Sequence, residues 1–240
     1  MKRILIGIIS LLIIGSLNVK AEAYYINENG LPFTEYQYEV MVDRIGLEDV
    51  QNMPYRVYNS MKINEITEEN YVDVSYEEPT ISRGTYYETS CKKITISKLC
   101  DSTGCMVSFT NDWKCIPKVK SYDVSGIRLS STNFTSNTQD ALFISNGNTT
   151  EPSGSRGASN GVGFAFKVPS SGDIGYSLVT ADVAKTGVVY GSYQHGVKSM
   201  NLNTALNFTF TSTGQGGVFE WGSYDSYFDQ MGGVYITMLS

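Results

Sequence analysis

The sequence predicts a mainly β protein, an antiparallel β-sandwich or jelly-roll-like domain preceded by one or two short helices. Three observations carry that reading. From about residue 70 apolar residues recur with period two, the spacing of strands with one buried face. The runs are short and punctuated by Gly, Ser, Asn and Pro, the turn chemistry of a sandwich or barrel. Helical spacing, by contrast, is found only within residues 33–62.

Residues 1–23 read as an export signal. Lys2 and Arg3 form a positive start, residues 4–19 an apolar stretch, and Ala21-Glu22-Ala23 the small-x-small pattern cut before Tyr24. Ser10, Gly15 and Ser16 interrupt the stretch, which falls short of the roughly 18 apolar residues of a spanning helix. The expected product is secreted, with no transmembrane segment after cleavage.

Cleavage would remove Lys2, Arg3, Lys20 and Glu22, taking 18 basic and 24 acidic side chains to 15 and 23, a net charge near −8. A chain so acidic is a poor partner for nucleic acid, where lysine and arginine supply most of the affinity. The charge is unevenly placed. Residues 24–90 hold 13 acids and 4 bases, and residues 91–128 hold 7 bases and 3 acids. Either the two surfaces neutralise each other, or the second offers a basic patch to an anionic glycan or cell wall.

Residues 24–66 form the expected helical segment. Thr34 and Gln37 have capping-box spacing, Tyr38, Met41, Val42 and Ile45 share a face, and Gly46 stops the helix. Pro54 suits the first position of a second helix, with Val57, Tyr58 and Met61 on one side. Residues 67–240 make up the expected sandwich. Strands are read at 71–78, 85–97, 106–113, 122–131, 160–168, 175–184, 186–194, 205–212, 216–221 and 232–239. Residues 145–160 are too polar to pack and read as a long exposed loop.

All four cysteines lie in residues 91–115, and in an exported chain an even number points to disulfides. A turn over Asp101–Gly104 would set Cys100 opposite Cys105 and Ile96 opposite Phe109. Cys91 then falls opposite Lys114, one residue short of Cys115, a mismatch that a bulge near Lys92-Lys93 would remove. The expected bridges are Cys100–Cys105 and Cys91–Cys115, stapling a basic hairpin that projects or reinforces a sheet edge. Gaps of eight, four and nine residues do not resemble zinc knuckles, and no metal or cofactor is implied.

Chemistry is sparsely signalled. His195 is the single histidine; Ser192 lies three residues away and no nucleophile-elbow motif surrounds it, so it reads as a strand-end residue bonded to backbone. Residues 218–230 offer Glu220, Asp225 and Asp229 among Trp221, Tyr224 and Tyr227. Paired carboxylates would suit glycan hydrolysis, and the rings alone would suit binding. Residues 170–175 and 223–229 are weak candidates for calcium, lacking any EF-hand pattern. Leu202, Leu206, Phe208 and Phe210 alternate with polar residues as in a membrane hairpin or a half-buried strand. Asn133, Asn148 and Asn207 are formal glycosylation acceptors. The leading reading is a non-catalytic binding module for a glycan, cell-wall or protein ligand, using Trp221, Tyr224 and Tyr227. An extracellular glycan hydrolase using Glu220, Asp225 and Asp229 comes second, and a membrane-active β protein third.

Overall fold

The computed structural model describes residues 24–77, 91–130, 134–135, 137–145, 147–171, 175–211, 218–229 and 231–238. The export segment and Asn133 lie outside these residues, as does the first part of the strand expected at 85–97. The chain opens with a hairpin of β1 (Tyr24–Ile26) and β2 (Pro32–Thr34). Three helices follow: α1 (Glu35–Ile45), α2 (Leu47–Gln51) and α3 (Tyr55–Ser60). Thr34 and Gln37 close both bonds of a capping box, Oγ1 accepting from Gln37 N and Oε1 from Thr34 N. Pro54 sits at the N-cap of α3, one residue earlier than its φ preference suggests.

The body is mainly β, as expected, and consists of two antiparallel sheets. In chain order the strands are β3 (Tyr71–Glu77), β4 (Lys92–Cys100), β5 (Cys105–Trp113), β6 (Tyr122–Leu129), β7 (Asp140–Ser145) and β8 (Asn148–Thr150). Then come β9 (Gly154–Ala158), β10 (Gly161–Lys167), β11 (Tyr176–Val183) and β12 (Val188–Gln194). A short helix α4 (Leu202–Ala205), the pair β13 (Thr209–Phe210) and β14 (Phe219–Glu220), and β15 (Val234–Thr237) complete the chain. One sheet has the order β3-β4-β5-β11-β7-β8, the other β15-β12-β6-β10-β9. Their facing sides bury Ile94, Ile96, Val107, Phe109, Ile127, Phe166, Val179 and Ile236.

Each sheet is covered on its outer side as well. The helices lie on the six-stranded sheet, where Met41, Ile45, Val57 and Met61 meet Leu99, Met106, Leu142 and Leu178. Arg44 crosses this layer fully buried, donating to Ser108 O (3.0 Å), Ser108 Oγ (2.9 Å) and Tyr71 OH (3.2 Å). On the five-stranded sheet, a C-terminal cap drives Phe208, Phe219, Trp221 and Phe228 against Val124 and Ala165. Gly126 and Gly163 oppose each other on β6 and β10 and make room for it. A Cβ on Gly126 would fall 2.6 Å from the Phe219 ring, and one on Gly163 2.6 Å from Phe208.

Several expectations are corrected. Residues 145–160 contain two strands, β8 and β9, because both lie at sheet edges where backbone pairing suffices without apolar side chains. The strand expected at 205–212 is reduced to the two-residue β13, and Ala205 instead ends α4, which Asn201 caps. The apolar side chains Phe208 and Phe210 pack in the cap over a sheet, and Phe208 is wholly buried.

Cys91 is bonded to Cys115 and Cys100 to Cys105, with Ile96 opposite Phe109. No bulge is used. The register runs unbroken to Lys92–Trp113, Lys114 N donates to Cys91 O (2.7 Å), and a bend at residues 114–115 brings the last cysteine back. The stapled hairpin lies within the sheet, between β3 and β11, and neither projects nor forms an edge. Its lysines are correspondingly committed: Lys92 to Asp229, Lys93 to Asp43 O on α1, and Lys98 to Thr237 O on the opposite sheet. Among the described residues no helix is long and apolar enough to cross a membrane.

Candidate functional site

The residues singled out around 220–229 do not converge. Glu220 is exposed at the end of β14. Trp221 does not offer its ring: it is 4 % exposed, stacks on Phe228 (3.8 Å) and donates through Nε1 to Ala205 O (2.9 Å). An indole carries too much apolar area to stay outside when an aromatic cap forms beside it. Asp225 accepts from Trp221 N (2.8 Å), fixing the 3-10 turn over Gly222–Tyr227. Tyr224 and Tyr227 are half-buried and meet edge to face at 5.6 Å. The Asp229 side chain is sealed from solvent and paired with Lys92.

His195 follows β12 directly, at the strand end; its backbone O accepts from Asp229 N (3.0 Å), and its ring is bonded to a carboxylate. Its Nδ1 lies 2.7 Å from Asp123 Oδ1, and the same oxygen accepts from Gly196 N (3.0 Å). Asp123 Oδ2 accepts from Tyr193 OH, which in turn accepts from Trp113 Nε1 (2.9 Å). Burial, reinforced by the Asp123 charge, pushes the Tyr193 phenol well above its ordinary pKa. Asp229 Oδ1 accepts from His195 N (3.1 Å), and the Lys92 ammonium lies 5.5 Å from the Trp113 ring and 5.6 Å from the Tyr193 ring. This cluster joins β4, β5, β6, β12 and the C-terminal cap into one polar knot.

The Asp123–His195 pair has the geometry of the orienting half of a catalytic triad. Ser192, however, lies on the other face of β12 with Gln194, which donates to its Oγ (3.0 Å), and His195 is 0 % exposed. The knot holds the fold together and offers no surface to a substrate.

A different row of residues reaches solvent at one end, Tyr235. On the outer side of the five-stranded sheet, Arg128, Tyr190 and Tyr235 stand directly opposite one another on β6, β12 and β15. Such neighbours have Cβ atoms about 5 Å apart, close enough to stack. The Arg128 guanidinium lies 4.6 Å from the Tyr190 ring, and the Tyr190 and Tyr235 rings lie 6.0 Å apart at 45°. Tyr235 is 55 % exposed, Tyr190 is half-buried and Arg128 is 5 % exposed, so the row steps from a fixed cation to an open ring. Alternation along β12 and β15 places both tyrosines opposite the core-facing Val189 and Ile236. Their meeting depends on β15 returning to β12 across more than 40 residues, and short-range spacing carries no sign of that.

No known protein family matches the sequence, and no curated protein does. A solved structure from work on "pH-induced modulation of Streptococcus parasanguinis adhesion by Fap1 fimbriae" is similar over 69 % of this chain and 95 % of its own. The TM-score is 0.30 and the identity 12 %, a likeness too loose to fix either fold or function.

Proposed function

We propose that the protein is a secreted, non-catalytic binding module that takes a glycan on the outer face of its five-stranded sheet. The observation that supports this reading most directly is the Arg128–Tyr190–Tyr235 row, an aromatic shelf stiffened from behind and open at Tyr235. A sugar ring presents an apolar C–H face to such a shelf and hydroxyls to its polar surroundings. A preordered ring loses little entropy on binding. The row opens to solvent at one ring, Tyr235, which suits a single sugar ring better than the broad contact a protein partner makes. Two disulfides suit export. Glu220 is exposed, whereas Asp225 holds the turn at Trp221 and Asp229 pairs with Lys92 out of solvent, an arrangement that lends no support to hydrolysis by the three.

The test is retention of the mature protein on a panel of insoluble and immobilised polysaccharides. Retention on at least one is expected, weakened about tenfold or more in Tyr235→Ala with an unchanged melting temperature. A protein that binds none of them, or a Tyr235→Ala variant that binds as the parent does, overturns the reading.

A further inference from the structure

We infer that the ligand of this face is an anionic glycan, its acidic groups received at a lysine corner at the other end of the same sheet. This rests on the glycan reading above and adds a second contact and a charge to it. The corner lies where β6 begins, six residues before Arg128, or ~20 Å along the strand.

Three lysines stand on chain segments that meet there, in a chain whose net charge is −6. Lys167, opposite Tyr122 in the ladder, is exposed and lies 4.6 Å from the Tyr122 ring. Lys198 is exposed, 4.9 Å from the Tyr227 ring and bonded to Ser226 Oγ (2.9 Å). Residues 196–200 run hard against the start of β6: a Cβ on Gly196 would fall 2.4 Å from Tyr122 O, and Met200 N donates to Ser121 Oγ (3.0 Å). That close approach brings Lys198 to the same corner as Lys167.

The third group is Lys120, immediately before Ser121 and Tyr122. Its Nζ is shielded from solvent and has no hydrogen-bond partner among the described residues. A shielded ammonium without a partner is costly, and an incoming anion would supply the bonds it lacks. Burial lowers the Lys120 pKa, and the Asp123 charge partly restores it. Of the carboxylates at this end, Asp123 is held inward by His195 and Gly196 and Asp229 by Lys92, while Asp225, in the turn that carries Tyr227, is half-buried and accepts from Trp221 N, so three lysines stand against one partly open carboxylate. Single exposed lysines bind anions weakly, whereas several meeting one polymer that also rests on Tyr235 act together. Of the rings read from the sequence as ligand contacts, Tyr227 belongs to this corner.

The test compares polygalacturonate, which carries carboxylates, and heparin, which carries sulfates, with an unsubstituted glucan. The parent protein should bind one acidic polymer at least tenfold more tightly than the glucan, and that margin should shrink as salt rises. Lys167→Gln/Lys198→Gln should lose most of the margin while leaving glucan retention intact. Adding Lys120→Gln should remove the rest, whereas Tyr235→Ala should weaken binding to acidic and neutral polymers alike. Equal binding of acidic and neutral polymers, or lysine variants that keep the margin, overturns the anionic assignment and leaves the shelf standing. Acidic binding lost in the lysine variants but untouched in Tyr235→Ala overturns the shelf instead.

Discussion

His195 Nδ1 lies 2.7 Å from Asp123 Oδ1, with both side chains sealed from solvent where the C-terminal cap meets the sandwich. Asp123 also accepts from Tyr193 OH and Gly196 N, so one carboxylate serves three donors on one stretch of chain. Asp123→Ala would leave all three without an acceptor in a dry site. It should cost about 3–5 kcal/mol, and Asp123→Asn, which keeps the shape and some acceptor capacity, about 1–3 kcal/mol. Urea unfolding followed by tryptophan fluorescence reads both values. A loss below 1 kcal/mol in Asp123→Ala would show that the knot is not a structural anchor.

Lys92 and Asp229 are the second half of that knot. Each side chain is 0 % exposed, so neutralising one strands the other. Lys92→Met should cost about 3–5 kcal/mol. Lys92→Met/Asp229→Asn should be less unstable than the sum of the single changes, by at least ~1.5 kcal/mol. Hydrogen exchange should show the first opening in residues 195–231, since Asp229 ties that segment through His195 N and Met231 N. Additive single changes would mean that the pair is not coupled.

Period-two runs in the chain made the two sheets legible, and cysteine spacing made their staple legible, because both depend on neighbours a few residues apart. The capping box at Thr34 and Gln37 belongs to the same class. Edge strands β8 and β9 were hidden because their hydrogen bonds come from the backbone and need no apolar pattern. The burial of Trp221 is not legible in the sequence because it is set by Phe208, Phe219 and Phe228, brought in by a cap whose path is long-range. The row of Arg128, Tyr190 and Tyr235 depends on strand order, and so does the meeting of Lys92 with Asp229, 137 residues apart. Lys92 and Lys93, which read in the sequence as part of a basic surface, are interior struts for the same reason.

The two disulfides should differ in worth. Cys91–Cys115 spans 24 residues and Cys100–Cys105 only 5. Loop-closure entropy alone gives about 3.5 kcal/mol for the first and about 2 kcal/mol for the second. Replacing each pair by alanine and comparing urea midpoints should reproduce that order. The reverse order would mean that the short bridge, close to the Asp101–Gly104 turn, stabilises the native state by something other than chain restriction.

Tyr176 and Tyr193 are both wholly buried, yet their hydroxyls are in opposite situations. Tyr193 OH bonds Asp123 and Trp113, whereas Tyr176 OH has no hydrogen-bond partner among the described residues. At pH 7, Tyr193→Phe should therefore cost about 1–3 kcal/mol, and Tyr176→Phe should be neutral or stabilise by up to ~1 kcal/mol. Burial, with the Asp49 charge adding to it, holds the Tyr176 phenol well above its ordinary pKa near 10, and Tyr193 is raised likewise. Folded chains thus keep protons that unfolded tyrosines release near pH 10. The stability these groups contribute is complete below that pH and is lost as pH rises past it. Urea midpoints taken from pH 8 to pH 11 should fall steeply for the parent and less steeply for Tyr176→Phe. A Tyr176→Phe protein that loses more than 1 kcal/mol at pH 7 would reveal a bond to that hydroxyl. Unchanged steepness at alkaline pH would show that Tyr176 does not stay protonated in the fold.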